Sequence, residues 1–563
     1  MKKINSQIII ALLAFLLMVI LASCQGQSVS EETPENPSEV GQEEAEIHHE
    51  ETAEDTASEE VVEEPLVILL DNDEGPITPA NFNTFIGYWL VGYVYDSLFA
   101  RAPDLSIVPA LATEAVPSED GLSWQITLRD DVAWHDGEPF TAEDVVFSYN
   151  FLKDAGRAPN LAAVESVEAT GDHDLTITLS EPVPFFLSEG LAGYYILPEH
   201  IWRDQDPVSG ELSLFQGQIG TGAFSLQEVI PGEFYTFKAN PDYFRGEPSV
   251  DTIIAKIVKD RTQQFNQLQT GVASAVLSSV PPAQVQQLEG SDDIALAKGS
   301  DFFNYVFYMN GSRPPFDQTE VREAISKAID TKSLVEIIFL GEGVELPISW
   351  YHPDLPWAIN IPHEFDPDAA AALLEAAGLV DSDGDGIREY EGEPTSYEIL
   401  CDVNSPVEIR STELIVGWLA DIGLGASQKC LDIDTSVTLI WPNFVAVANP
   451  DYDMAIWGWS SGVQFQRGFI RGLLDGDFGA TGWGNLTGIA DPILDELMAE
   501  YVSNPDPERT EELAVQIQER IAENLPFIAI MSPGGNFGYR PSDYNGWEYM
   551  NGTGIMPVWS FLP

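Results

Sequence analysis

Residues 134–148 read Trp134-His135-Asp136-Gly137-Glu138-Pro139-Phe140-Thr141-Ala142-Glu143-Asp144-Val145-Val146-Phe147-Ser148. Asp136-Gly137 and Pro139 are turn residues. Thr141, followed three residues later by Asp144, is a variant of the capping box and opens a helix. Val145, Tyr149 and Leu152 then fall on one face of that helix. Turn and cap are sufficient structural reasons for the block, so it needs no ligand. Outward from it, Trp124, Ile126 and Leu128 alternate, as do Leu175, Ile177 and Leu179. Both runs have the period of two of half-buried strands.

Farther along the chain the pattern changes. Asp366-Pro367 starts a helix that Gly378 stops. Tyr397 to Val403 and Ala426 to Ile433 read as strands. The helix between them carries Ile415, Trp418, Leu419 and Ile422 on one stripe. A strand–helix–strand unit favours a parallel pair with a crossover. Residues 105–240 thus read as α+β and the later part as α/β, which fits two lobes of different construction. The body is roughly 500 residues long, enough for two or more lobes.

The N-terminus belongs to a different class of sequence. Lys2 and Lys3 precede an apolar run, Ile8 to Leu21, and then Leu21-Ala22-Ser23-Cys24. The run is short for a membrane span, and its small residues before a cysteine suit a lipoprotein signal, 1–23, with Cys24 lipidated. The alternative is an uncleaved anchor helix; either way the body lies outside the membrane. Residues 24–64 are rich in Glu and lack Lys and Arg, and are read as a disordered acidic tether. His48 and His49 in that tail are read as solvated rather than metal-binding. The formal net charge of −66 excludes nucleic acid, whose phosphates would be repelled, and adhesion to anionic lipid.

There are three cysteines. With Cys24 assigned to the lipid, Cys401 and Cys430 are left in an exported domain. The favoured reading is one disulfide between the two strands; the other is two free thiols.

The 134–148 block resembles the signature of extracellular solute-binding proteins of ABC importers, the peptide- and nickel-binding family 5. Other stretches follow in the same order. Gly220-Thr221-Gly222-Ala223-Phe224 is similar to the family's Gly-Thr-Gly-Pro-Tyr turn, and Asn240-Pro241-Asp242-Tyr243-Phe244-Arg245-Gly246 to its Asn-Pro-x-Tyr-Trp-x-Gly. Tyr308-Met309-Asn310 through Phe316, Val321 to Ile325, Ala328 to Asp330, and Asp451 to Trp459 also match. The resemblance covers the body from about Pro65 to the C-terminus. It implies an α/β, two-lobed periplasmic-binding-protein-like fold with an extra strand-rich subdomain in lobe one. Lobe one would comprise 65–305 and 507–563, with lobe two, 306–506, inserted near Tyr305 and Pro507. It also implies a monomeric, extracytoplasmic, lipid-anchored binding protein rather than an enzyme. Its partners would be an ABC permease and a small ligand, an oligopeptide or oligosaccharide. Lobe closure around a solute would bury it and present a shape the permease reads. A solute sensor signalling to a membrane receptor is the kindred alternative.

Three local features bear on chemistry. Gly458-Trp459-Ser460-Ser461-Gly462 matches the nucleophile elbow, which makes a hydrolase using Ser460 the enzyme alternative. That elbow needs a later histidine, and none follows His363. Asp381, Asp383, Asp385, Ile387 and Glu389 have the spacing of a Ca²⁺ loop, although its twelfth place is Gly392 where an EF-hand has Glu. No cofactor is required, and Ca²⁺ is weighed against a solvated turn. Trp457, Trp459, Ser460, Ser461, Phe303 and Tyr305 are the candidate ligand-binding residues, with core packing as the alternative for each aromatic. In peptide-binding relatives an Asp soon after the matching Trp pairs with the peptide's α-amino group. Here Trp459 is followed by Ser460, Ser461, Gly462, Val463 and Gln464, without a carboxylate. That departure favours a neutral, ring-bearing ligand stacked on Trp459.

Overall fold

A computed structural model describes residues 64–563 except 76, 80–84, 157, 206–218, 442–449, 475 and 477–484. The signal segment 1–23, the lipidation site Cys24, His48 and His49 lie outside the described residues, as does the tether up to its last residue. No helix among the described residues is long and apolar enough to cross a membrane.

The fold is organised around one long strand, Phe527–Tyr539. Its first half pairs antiparallel with Asn304–Met309, Phe527 opposite Tyr308 and Met531 opposite Tyr305. From there the sheet continues through Met454–Trp459, Tyr397–Asp402 and Ala426–Leu431. Its second half pairs with Ala295–Ser300, Gly534 opposite Ser300 and Tyr539 opposite Ala295. On that side the sheet continues through Ala275–Val276, Leu66–Leu70, Thr252–Ile257, Phe234–Ala239 and Phe224–Ile230. One strand therefore runs through both lobes. The chain passes from lobe one to lobe two through Asp301–Phe303 and returns through Ser532–Gly534, where the pairing partner changes. At this point Gly534 lies so close to Glu342 that a Cβ would sit 2.3 Å from its carbonyl oxygen.

The return expected near Pro507 comes later in the chain. Pro507–Asn524 is a helix whose buried Leu513, Ile517 and Ile521 share a core with Val306, Tyr308 and Trp459 of lobe two. Its amphipathic stripe makes it a packing element, not a passage. The last residues do rejoin lobe one: Phe561 is buried with Leu66 and Tyr93, and Tyr93 Oη donates to Met556 O at 2.9 Å.

The strand-rich subdomain of lobe one is a separate antiparallel sheet ordered Ala112–Pro117, Ser123–Leu128, Asp174–Leu179, Val164–Ala169. Trp124, Ile126, Leu128, Leu175, Ile177 and Leu179 all face its core. The helix Ala142–Asp154 is capped as its sequence implies: Asp144 Oδ2 accepts from Thr141 N at 3.0 Å. The other oxygen of Asp144 accepts from Glu199 N at 2.9 Å, so the cap also fixes a distant loop. His135 ties its block to the glycine turn, with Nε2 2.9 Å from Gly222 O and Nδ1 accepting from Gly220 N at 3.2 Å.

Lobe two is α/β. Tyr397–Asp402 and Ala426–Leu431 pair in parallel across the helix Pro406–Asp421. Cys401 and Cys430 stand opposite in that register and are joined in a disulfide.

Candidate functional site

A cavity of about 440 Å³ opens between the lobes. Lobe one supplies most of its wall. The helix Phe85–Val94 contributes Tyr88, Trp89 and Gly92, and the segment 188–195 contributes Glu189, Tyr194 and Tyr195. Gly92 is required by closeness: a Cβ there would lie 2.6 Å from Tyr195 Oη. Tyr195 donates from that hydroxyl to Tyr88 O at 3.2 Å, and the two rings lie 5.0 Å apart. Trp559 closes the wall from the C-terminal segment, donating to Arg101 O at 2.9 Å. Lobe two contributes Ser460, Gly462, Val463, Phe465 and Gln466, the turn that follows the strand Met454–Trp459.

Four charged side chains line this aromatic cleft: Asp96, Arg101, Glu189 and Arg245. Asp96 is buried and accepts from Tyr243 Oη at 2.8 Å and Thr221 Oγ1 at 2.9 Å. Burial pushes its carboxyl above the usual range. It ties together the glycine turn and the Asn240–Gly246 block, both carriers of the family resemblance. Glu189 accepts from Arg467 N of lobe two at 2.8 Å, and burial pushes its carboxyl up to about 7. Arg467 in turn lies over the Phe185 ring, 4.7 Å from its centroid. Arg245 donates to Pro109 O at 2.8 Å and lies 4.6 Å from the Trp559 centroid. Burial lowers Arg101 below the ordinary arginine range.

Of the six residues expected to touch ligand, Ser460 alone lines this cavity. Trp459 is only 7% exposed and belongs to the core of lobe two. Its Nε1 donates to Tyr308 Oη at 2.8 Å, and its ring is packed by Phe469, Trp441 and Trp350 at 5.3, 6.2 and 6.3 Å. The stacking face expected of Trp459 is thus taken up by neighbouring rings. Ser461 is buried beside it. Trp457, Phe303 and Tyr305 are half-buried near the first lobe passage, the last two with rings 4.9 Å apart. They do not line the cleft. The stretch Ser460 to Gln464, which carries no carboxylate, also brings Gly462 and Val463 to it. Sequence reasoning missed Tyr88, Trp89, Arg101, Glu189, Tyr195 and Trp559. Arg245 alone of the cleft's lobe-one residues sits inside a block the sequence singles out.

Among the described residues, no histidine lies along the cleft beside Ser460. The loop 381–389 brings carboxylate oxygens of Asp381, Asp383, Asp385 and Glu389 within 4.8 Å of one another. Asp381 accepts from Gly384 N and Gly386 N, and Asp385 from Ile387 N, so the loop is held by its own amides. Ile387 is an exposed residue of this turn, far in sequence from every residue lining the cleft.

Residues 106–479 match the family described as bacterial extracellular solute-binding proteins, family 5 Middle. The oligopeptide-binding protein AppA of Bacillus subtilis is 26% identical over 477 residues, covering 81% of this chain and 83% of the relative. The nickel-binding periplasmic protein of Escherichia coli is 27% identical over 366 residues, 63% of this chain and 68% of its own. Among solved structures, AppA of B. subtilis in complex with a nonapeptide superposes with a TM-score of 0.70 at 23% identity, covering 89% of this chain and 99% of that one. NikZ of Campylobacter jejuni in complex with Ni(L-His) gives 0.72 at 22%, with the same coverage. These structures share the two-lobed fold. With residues 106–479 matched, the chain belongs to the bacterial extracellular solute-binding proteins of family 5, the substrate-binding components of ABC importers.

Proposed function

We propose that this protein captures a small polar solute, a short peptide or a solute of similar size, in the cleft between Tyr88, Tyr195 and Trp559 on one lobe and Ser460–Gln466 on the other. It then hands the solute to an ABC permease. The cleft itself carries this reading. Its volume of about 440 Å³ lies in the range of small-molecule sites, and its walls combine aromatic faces with a few placed polar groups. Contacts already cross the cleft, Glu189 to Arg467 N and Arg467 to Phe185, so the two lobes close on one another through groups that a solute would adjoin. AppA's nonapeptide and NikZ's Ni(L-His) show what two relatives take; the cavity here suits the smaller of such cargoes. The protein works as a monomer outside the membrane, held by lipid on Cys24, and Cys24→Ser is expected to release it from envelope membranes.

The test is calorimetry with mixed di- to pentapeptides and short oligosaccharides, on the wild type and on Trp559→Ala. Loss of a buried aromatic wall is expected to weaken binding by about 2 kcal/mol, roughly 30-fold. Binding that ignores Trp559 would place the solute elsewhere.

A further inference from the structure

We infer that the cleft anchors its solute through an anionic group, a carboxylate or a similar planar oxyanion, set against the Arg101 guanidinium. This rests on the cleft being the solute site. Arg101 ends the short strand Phe99–Arg101 and lines the cavity. Its Nη1 donates to Leu105 O at 3.3 Å, and its Cζ lies 5.1 Å from the centroid of Phe465 on the opposite lobe. Among the described residues it makes no ion pair. A guanidinium offers five N–H donors, and here one is used. Leaving such a cation half-buried without a counter-charge is costly.

The acids of the cleft do not supply that charge. Glu189 is near enough for its charge to be felt at Arg101, but it is not within ion-pair reach, and its carboxylate is engaged by Arg467 N. Asp96 is engaged by Tyr243 and Thr221. A second cation, Arg245, adds to the positive side of the balance. The stretch after Trp459, Ser460 to Gln464, which lacks an amine-pairing carboxylate, gives Ser460, Gly462 and Val463 to the same cavity and no charge. The cleft thus has its acids spoken for and a base with free donors. A planar carboxylate fits an arginine fork with two parallel hydrogen bonds. The rings of Tyr88, Tyr195 and Trp559 are left for the apolar remainder of the solute. The neutral ligand that the sequence favours gives way to an acidic one; the free amine is dispensable in both.

The probes are two matched pairs: N-acetyl-Ala-Phe-Ala with a free carboxylate and as its C-terminal amide, and maltotrionate with maltotriose. Each is titrated calorimetrically into the full chain. The expected result is that at least one acid probe binds, with its neutral counterpart about 30-fold weaker, the lower end of what losing a partner of a desolvated charge costs. In Arg101→Gln that preference should vanish, the acid probe falling to the level of its neutral counterpart. Arg101→Lys, which keeps the charge without the fork, should retain part of it, and its melting temperature guards against misfolding. Equal affinity for the acid and neutral members of a pair, or equal loss of both in Arg101→Gln, overturns the inference and leaves the solute-capture reading intact. Failure of all four probes to bind overturns both.

Discussion

Trp459 shows what one residue can and cannot say. Its place at the end of an apolar strand, beside two serines, suggests a ligand face. Instead its indole N–H is satisfied by Tyr308 and its ring is covered by Phe469, Trp441 and Trp350. A tryptophan carries so much apolar area that the core competes for it, and composition does not reveal which demand wins. Trp459→Ala is expected to destabilise the protein by about 3–5 kcal/mol through the cavity it leaves. Urea unfolding measures this; a variant with wild-type stability that loses only solute affinity would return Trp459 to the binding site. Glu189 gives a second residue-scale expectation. Its carboxyl ionises near 4.5 when unfolded and about 7 in the fold, so between those values the folded state holds the extra proton. The sign follows: this group's contribution to stability is greatest at low pH, falls as pH rises from about 4.5 to 7, and is fully lost above. Glu189→Gln should flatten that part of the stability–pH curve. Asp301 and Glu408, pushed up to about 6 and about 7 by burial, keep a residual slope of the same sign. An unchanged curve would mean that the Glu189 proton is not held.

At the scale of elements, local chemistry was legible and distant pairing was not. The Thr141 cap, the alternating strands and the parallel unit around Pro406–Asp421 all declare themselves within a dozen residues. The return between lobes does not, because it lies inside a strand. Phe527–Tyr539 changes partners at Ser532–Gly534, where the apolar run Phe527–Met531 gives way to Ser-Pro-Gly-Gly; those residues read as an ordinary turn, and only the pairing on either side shows one strand continuing through them. The prolines near 507 mark a helix start instead, as proline in a first helical turn commonly does. The disulfide belongs to this scale too. Cys401 and Cys430 close a loop of 29 residues between two strands already in register. A cross-link of that loop length contributes roughly 3 kcal/mol through the unfolded chain. Cys401→Ser with Cys430→Ser should lower stability by about that much without loss of solute affinity, since neither residue lines the cleft. Full stability in the double variant would show that the bridge constrains little.

For the molecule as a whole, the fold and its class were readable because several blocks recur in a fixed order along the chain. The cleft was not, because its wall is drawn from positions as far apart as Tyr88 and Trp559. Those residues lie in ordinary helices and loops and share no motif. Only folding makes them neighbours. The same architecture explains why the signature block at 134–148 can dominate the sequence and still stay out of the site. It holds the glycine turn and the start of the helix at Glu199, and the glycine turn in its turn holds Asp96 of the cleft wall. The net charge of −66 keeps such a protein dispersed and off anionic lipid. The central claim, that one small solute is held between the lobes, is tested most directly by native mass spectrometry of protein released from the envelope without refolding. The expected spectrum shows a one-to-one adduct of a small molecule in the wild type, absent from Tyr195→Ala/Trp559→Ala. An adduct that survives both substitutions undiminished would contradict the account.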